Sequence, residues 1–147
     1  MSDAGRLEHS MASSRGRLLI VDDERSHREI ISNIMESEGY EVLTAQDGLD
    51  ALNRLVEPLP NAIISDLNMP RMSGFEFLAV VRQNFPQLPV IAMSGEFEGH
   101  ELPTGVLADA YLPKGAHTFG QLRTTTRGLV SAPPRSQSST AIAFALG

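Results

Sequence analysis

Short apolar runs that each stop at a polar residue, separated by helix-like stretches, constrain this chain more than any other feature. Leu18 to Val21 is continuously apolar and stops at Asp22 and Asp23. Ala62 to Ile64 stops at Asp66, Leu88 to Met93 at Ser94, and Ala110 to Leu112 at Lys114. Glu41 to Ala45 reads as a further strand. Between the runs, Glu24 to Glu38 sets Ile30, Ile31, Ile34 and Met35 on one helical stripe, closed by Gly39. Asp47 can cap a helix whose core face carries Ala51, Leu52, Leu55 and Val56, ended by Pro58. Gly74 to Phe85 turns Phe77, Leu78 and Val81 inward, and a last helix spaces Phe119, Leu122 and Leu129 for one face. Strands alternating with helices, and apolar on both faces, predict a parallel sheet covered on both sides. The expected fold is a five-stranded, doubly wound α/β domain. Its fourth helix, over Glu98 to Leu107, holds Pro103 and Gly105 and is expected to be irregular.

The length of 147 residues, 41% hydrophobic, suffices for one core. Residues 1–16 read as a disordered leader, 17–130 as the folded domain, and 131–147 as a Pro- and Ser-rich tail. The tail ends in an alternation of Ile142, Phe144 and Leu146 with alanines, which reads as an unstructured apolar end, with an edge strand or docking peptide as the alternative. There are no cysteines, which excludes disulfides, thiolate metal sites and thiol catalysis. A net charge of −6 argues against general binding to nucleic acid or anionic membrane. The sequence contains no apolar run of the ~20 residues a membrane span needs and no signal-peptide pattern, so a cytoplasmic location is expected.

In a parallel sheet the C-terminal strand ends share one edge, where ligand sites of such folds form. Asp22, Asp23, Asp66, Ser94 and Lys114, the only lysine, should therefore meet. Clustered carboxylates repel unless a cation joins them, and hard oxygen donors suit Mg²⁺ or Mn²⁺. An ammonium and a hydroxyl opposite can bind phosphoryl oxygens, with Asp66 placed as a carboxylate nucleophile. Taken singly, each residue has a plainer reading. Asp22 and Asp23 can cap a helix, Asp66 can serve a turn with Asn68 and Pro70, Ser94 can be a turn residue, and Lys114 a solvated charge. Their common position at the strand ends favours the functional reading. His27, His100 and His117 are scattered and read as surface residues rather than metal ligands.

The segments Leu19 to Glu24, Ile64 to Gly74, Met93 to Gly95 and Tyr111 to Lys114 together resemble the receiver domain of bacterial two-component response regulators, from about Arg17 to Val130. The resemblance implies a flavodoxin-like (CheY-like) fold. It implies that Asp66 is the phosphoacceptor for the phosphohistidine of a sensor kinase or phosphotransfer protein. It further implies that Asp23, Asp66 and the Asn68 carbonyl hold Mg²⁺ directly, with Asp22 acting through water. Ser94 and Lys114 would bind the phosphoryl oxygens, and Tyr111 would be the aromatic switch residue that follows Ser94. Asn68 and Glu96 resemble the residues that speed dephosphorylation in the chemotaxis receiver. Two places depart from the family pattern: Gly115 follows Lys114 where a proline is usual, and Pro103 and Gly105 interrupt the fourth helix.

These features predict a stand-alone receiver that switches protein partners in two-component signalling, and not an enzyme acting on a separate substrate. The alternatives are a receiver cut from a larger regulator or hybrid kinase, and a phosphorylation-independent interaction module. A Mg²⁺-dependent phosphatase with an Asp nucleophile is a further reading, disfavoured because Asn68 stands where such sites commonly carry a general acid.

Overall fold

The computed structural model describes residues 14–56, 58–95, 107–115 and 118–131. Five strands, β1 (Gly16–Val21), β2 (Tyr40–Ala45), β3 (Ala62–Asp66), β4 (Val90–Ser94) and β5 (Ala110–Pro113), form one parallel sheet in the order β2-β1-β3-β4-β5. Helices α1 (Arg25–Ser37), α2 (Gly48–Arg54), α3 (Gly74–Asn84) and α4 (Thr118–Ser131) cover it. The expected doubly wound α/β fold is what forms. The expected irregular helix around Pro103 and Gly105, the leader and the tail lie outside the described residues.

The strands are apolar on both faces because each face meets a different helix pair. Leu19, Val21, Ile63, Ala92 and Tyr111 pack with Ala51, Phe77, Leu78 and Val81 from α2 and α3. Leu18, Ile20, Ile64, Ile91 and Leu112 pack with Ile31 and Met35 from α1 and Leu122 from α4. Burying each Val, Leu, Ile, Phe or Met among them contributes about 1.5–3 kcal/mol, so these two layers fix the register.

Local chemistry sets the helix ends. Gly39, at φ +100°, closes α1, and Asp47 caps α2 by accepting from the Asp50 N–H at 2.8 Å. Ser73 caps α3 by accepting from the Glu76 N–H at 3.2 Å. Helix α2 stops at Arg54, short of the expected Pro58, and Val56 is 63% exposed rather than on the core face. Pro58 has no N–H to offer the Arg54 carbonyl, so the chain leaves the helix at Leu55, where ψ is 64°. On α1 the buried stripe runs through Ile31 and Met35, which leaves Ile30 44% exposed against expectation.

Arg82 on α3 ties down the start of β5. It donates to the Leu88 carbonyl at 2.9 Å and to the Asp109 carboxylate at 2.5 Å, and that carboxylate also accepts the Val90 N–H at 2.8 Å. Among the described residues, no helix is long and apolar enough to cross a membrane.

The Thr126 hydroxyl, fully buried on α4, finds no hydrogen-bond partner among the described residues. A buried unmet hydroxyl costs about 1–3 kcal/mol. Thr126→Val keeps the shape and should raise stability by about 1 kcal/mol, read as a higher urea or thermal midpoint; an unchanged or lower midpoint refutes this.

Candidate functional site

The strand order reverses direction between β1 and β3, and there the two central carboxylates emerge. Val21 pairs with Ser65, so the next residues, Asp22 and Asp66, leave the sheet side by side. Ser94 pairs with Pro113, which places Lys114 beside them, and the Lys114 N–H donates to the Ser94 carbonyl at 3.0 Å. Register alone therefore assembles residues from four strand ends.

Asp22 and Asp66 are buried, whereas Asp23 is exposed at the rim. Carboxylate oxygens of all three lie within 4.8 Å of one another. The Lys114 ammonium reaches Asp66 Oδ2 at 3.2 Å and Asp22 Oδ2 at 3.3 Å. Asp66 Oδ1 accepts the Asn68 N–H at 3.2 Å. The Ser94 hydroxyl donates to Asn68 Oδ1 at 2.6 Å, and the buried Tyr111 hydroxyl donates to the Ser94 carbonyl at 3.4 Å. Asp22, Asp23, Asp66, Asn68, Ser94, Tyr111 and Lys114 thus form one connected group. Glu96 lies outside the described residues. Gly115 is exposed, and its carbonyl accepts the Thr118 N–H at 3.2 Å.

The two buried aspartates differ in their electrostatics. For Asp66, burial is the largest influence and raises its pKa above the ordinary carboxylate range. The Asp22 charge adds to this, and the Asn68 N–H and Lys114 offset only part. Burial pushes Asp22 the same way, but the His27 and Glu24 hydrogen bonds and the Lys114 charge outweigh it and lower its pKa. Burial would lower the Lys114 pKa, but the Asp22 and Asp66 charges more than reverse this.

Several residues around the site escape a reading of sequence. His27 is not a surface residue: its side chain is 15% exposed and its Nδ1 lies 2.5 Å from Asp22 Oδ2. It stands four residues before Ile31, on the stripe that α1 buries, and that spacing was the available signal. Arg28 donates to the Asp22 carbonyl at 2.6 Å. Arg71, at φ +67°, reaches across to Asp47 Oδ2 at 3.2 Å and so pins the loop after Asp66 to the start of α2. Asp23, Gln46, Asp47, Pro70 and Arg71 line a cleft of about 220 Å³ beside the carboxylates.

Three carboxylates and an ammonium at the strand edge of this topology match a known family. The model of the response regulator receiver domain matches residues 18–123. The chain belongs to that family. The response regulator MprA of Mycobacterium sp. (strain KMS) is 36% identical over 100 residues, which are 67% of this chain and 44% of that protein. The receiver chain thus spans less than half the length of this curated relative. Among solved structures, the chemotaxis protein CheY4 of Vibrio cholerae is similar at 34% identity and a TM-score of 0.66, over 76% of this chain and 96% of that one. The response regulator TrrA of Thermotoga maritima, in complex with Mg²⁺–BeF, is 29% identical with a TM-score of 0.70, over 77% and 97%. TrrA has also been solved in complex with the histidine kinase ThkA.

An acidic cluster of this kind is typical of the receiver active site, and its donor set fits a hard divalent cation. All three groups are oxygen donors, close enough to share one ion.

Two outcomes follow from the geometry. A β-carbon at Gly74 would stand 2.4 Å from both the Asp66 carbonyl oxygen and the Leu67 Cα, which are backbone atoms that cannot turn aside. Gly74→Ala should therefore lose about 2–3 kcal/mol in urea unfolding. Gly95→Ala, whose β-carbon meets Lys114 only at 4.0 Å, should stay within about 0.5 kcal/mol of the parent. The second concerns Asp66, whose folded pKa lies above its unfolded value near 3.8. Below both values there is no penalty; as pH rises through them, ionising Asp66 costs the folded state more than the unfolded one. Without divalent cations, Asp66→Asn should thus be the more stable protein at pH 7, with the advantage vanishing in acid. An equal or lower thermal midpoint at pH 7 would contradict the assignment.

Proposed function

We propose that this receiver is a phosphorylation-controlled switch whose phosphoacceptor is Asp66. The observation that carries the reading is the place of the Asp66 carboxylate, at the strand edge between an acidic cluster and the one lysine. An Asp66 oxygen attacks the phosphorus of a phosphohistidine, an acyl phosphate forms, and the phosphorus–nitrogen bond breaks as the imidazole leaves. Asp22, Asp23, Asp66 and the Asn68 carbonyl would hold Mg²⁺ (or Mn²⁺), with Asp22 acting through water. When bound, the ion supplies positive charge against the phosphoryl oxygens. Lys114 swings its ammonium from the aspartates to a phosphoryl oxygen, and Ser94 gives up Asn68 to bind another. Tyr111, already joined to the Ser94 carbonyl, follows that movement, so the change reaches β5. Asn68 and Glu96 shorten the life of the acyl phosphate.

The donor is a sensor histidine kinase or a phosphotransfer protein in the cytoplasm, and the output is a change in binding to an effector protein. The catalysis is confined to the chain's own phosphorylation and dephosphorylation. The receiver unit spans 17–130, with 1–16 and 131–147 outside it. A second reading has its own support: the chain spans 44% of the MprA relative's length, as an input module of a longer regulator would.

Intact mass after incubation with Mg²⁺ and acetyl phosphate tests the central claim, and suits a chain without tryptophan. One phosphoryl adduct should form on the parent and be lost in Asp66→Ala and in chelator. A folded parent that gains no adduct overturns the reading.

A further inference from the structure

Asp22 is held more tightly than any other carboxylate of the site. Its Oδ1 accepts the Glu24 N–H at 2.9 Å, and its carbonyl accepts from Arg28 at 2.6 Å. Its Oδ2 receives both the Lys114 ammonium at 3.3 Å and His27 Nδ1 at 2.5 Å. The two donors to Oδ2 differ in kind. Lys114 is a flexible cation shared with Asp66, and phosphoryl binding would draw it away. His27 sits on the buried stripe of α1, and its ring lies 6.3 Å from the Phe119 ring of α4, tilted by 39°. A donor fixed by packing on two helices keeps its place when the lysine leaves.

We propose that His27 is a positioning residue of the divalent-cation site, whose Nδ1–H fixes the Asp22 carboxylate in the orientation that serves the ion. An ionised carboxylate offers no hydrogen, so the proton of this bond belongs to His27, and Nδ1 is the protonated ring nitrogen. Without that donor a buried carboxylate depends on Lys114 alone for side-chain support, and that lysine is needed elsewhere once phosphate arrives. Groups that orient a direct metal ligand typically change affinity about 10–100-fold when removed, and because Asp22 serves the ion through water the low end of that range applies here. Because Phe119 backs the ring, the cation site is also joined to α4, away from the Ser94–Tyr111 route. The inference rests on the cation site of the proposed function, but its test does not depend on phosphorylation.

The experiment compares Mg²⁺ affinity by calorimetry, and Mn²⁺ affinity by electron paramagnetic resonance, in the full chain and two variants. His27→Leu fills the space without a donor; His27→Asn carries an N–H near the position of Nδ1. His27→Leu should bind Mg²⁺ about tenfold or more weakly, and His27→Asn should recover most of the loss. Far-UV circular dichroism and the thermal midpoint identify a variant that has failed to fold. Long-range ¹H–¹⁵N spectra of the metal-free parent should show a protonated Nδ1 on His27, identified by its loss in His27→Asn. This readout holds even if the leucine variant unfolds. Unchanged Mg²⁺ affinity in folded His27→Leu, an asparagine variant as weak as the leucine one, or an unprotonated Nδ1 each overturns the role. Such a result beside a normal phosphoryl adduct leaves Asp66 as acceptor; a parent with neither adduct nor Mg²⁺ binding refutes the reading beneath.

Discussion

Two carboxylates stand side by side at the ends of β1 and β3, almost entirely removed from water, and one ammonium reaches both of them. Buried like charges are costly unless they are paired and hydrogen-bonded. Here the sheet register compels their proximity: with Val21 beside Ser65, the backbones of Asp22 and Asp66 stay neighbours unless a strand slips. A slip by one residue would turn Leu18 and Ile20 to the opposite helix layer, which the packing of both faces forbids. Core packing thus holds an electrostatic strain in place, and the strain makes the site receptive to added positive charge.

The surrounding chain shares this strain unequally. Asp22 is supported by a backbone N–H, an imidazole and the lysine, and its pKa falls despite burial. Asp66 has one backbone N–H and the same lysine, and burial dominates. The less supported carboxylate is the one whose proposed role is to form a covalent bond. The loop that follows it is held instead by its backbone: Gly74 packs against the end of β3, while Arg71 anchors to Asp47 at the head of α2. Asp66 is placed by its neighbours more than it is stabilised by them.

The fold could be read from the sequence because its signal is local. A continuously apolar run marks a strand covered on both sides, and all five strands fall within two residues of their expected positions. The convergence of Asp22, Asp66, Ser94 and Lys114 follows from topology and was equally readable. Finer placement was not. The expected stripe of α1 holds at Ile31, Ile34 and Met35, but only packing against β1 and α4 turns His27 inward and leaves Ile30 exposed. The Arg71–Asp47 pair joins residues with no shared periodicity, and the early end of α2 depends on how far Pro58 disturbs the turn before it.

Two routes of contact lead away from the carboxylates, one through residues legible in the sequence and one through His27, which was not. From Asp66, one path runs through Asn68 and the Ser94 hydroxyl to the Ser94 backbone, where the Tyr111 hydroxyl is attached, and so reaches the edge strand β5. A second leaves Asp22 through His27 and meets Phe119 near the start of α4. Thr118, next to Phe119, donates its hydroxyl to the Pro113 carbonyl, the last residue of β5. The two paths therefore close on the same corner of the fold from opposite faces of the sheet. An event at the carboxylates that moved Lys114 would act on both, because that lysine directly follows Pro113 and touches both aspartates. The corner where β5 meets α4 is accordingly tied to both aspartates, through Lys114 on one side and through His27 and Phe119 on the other.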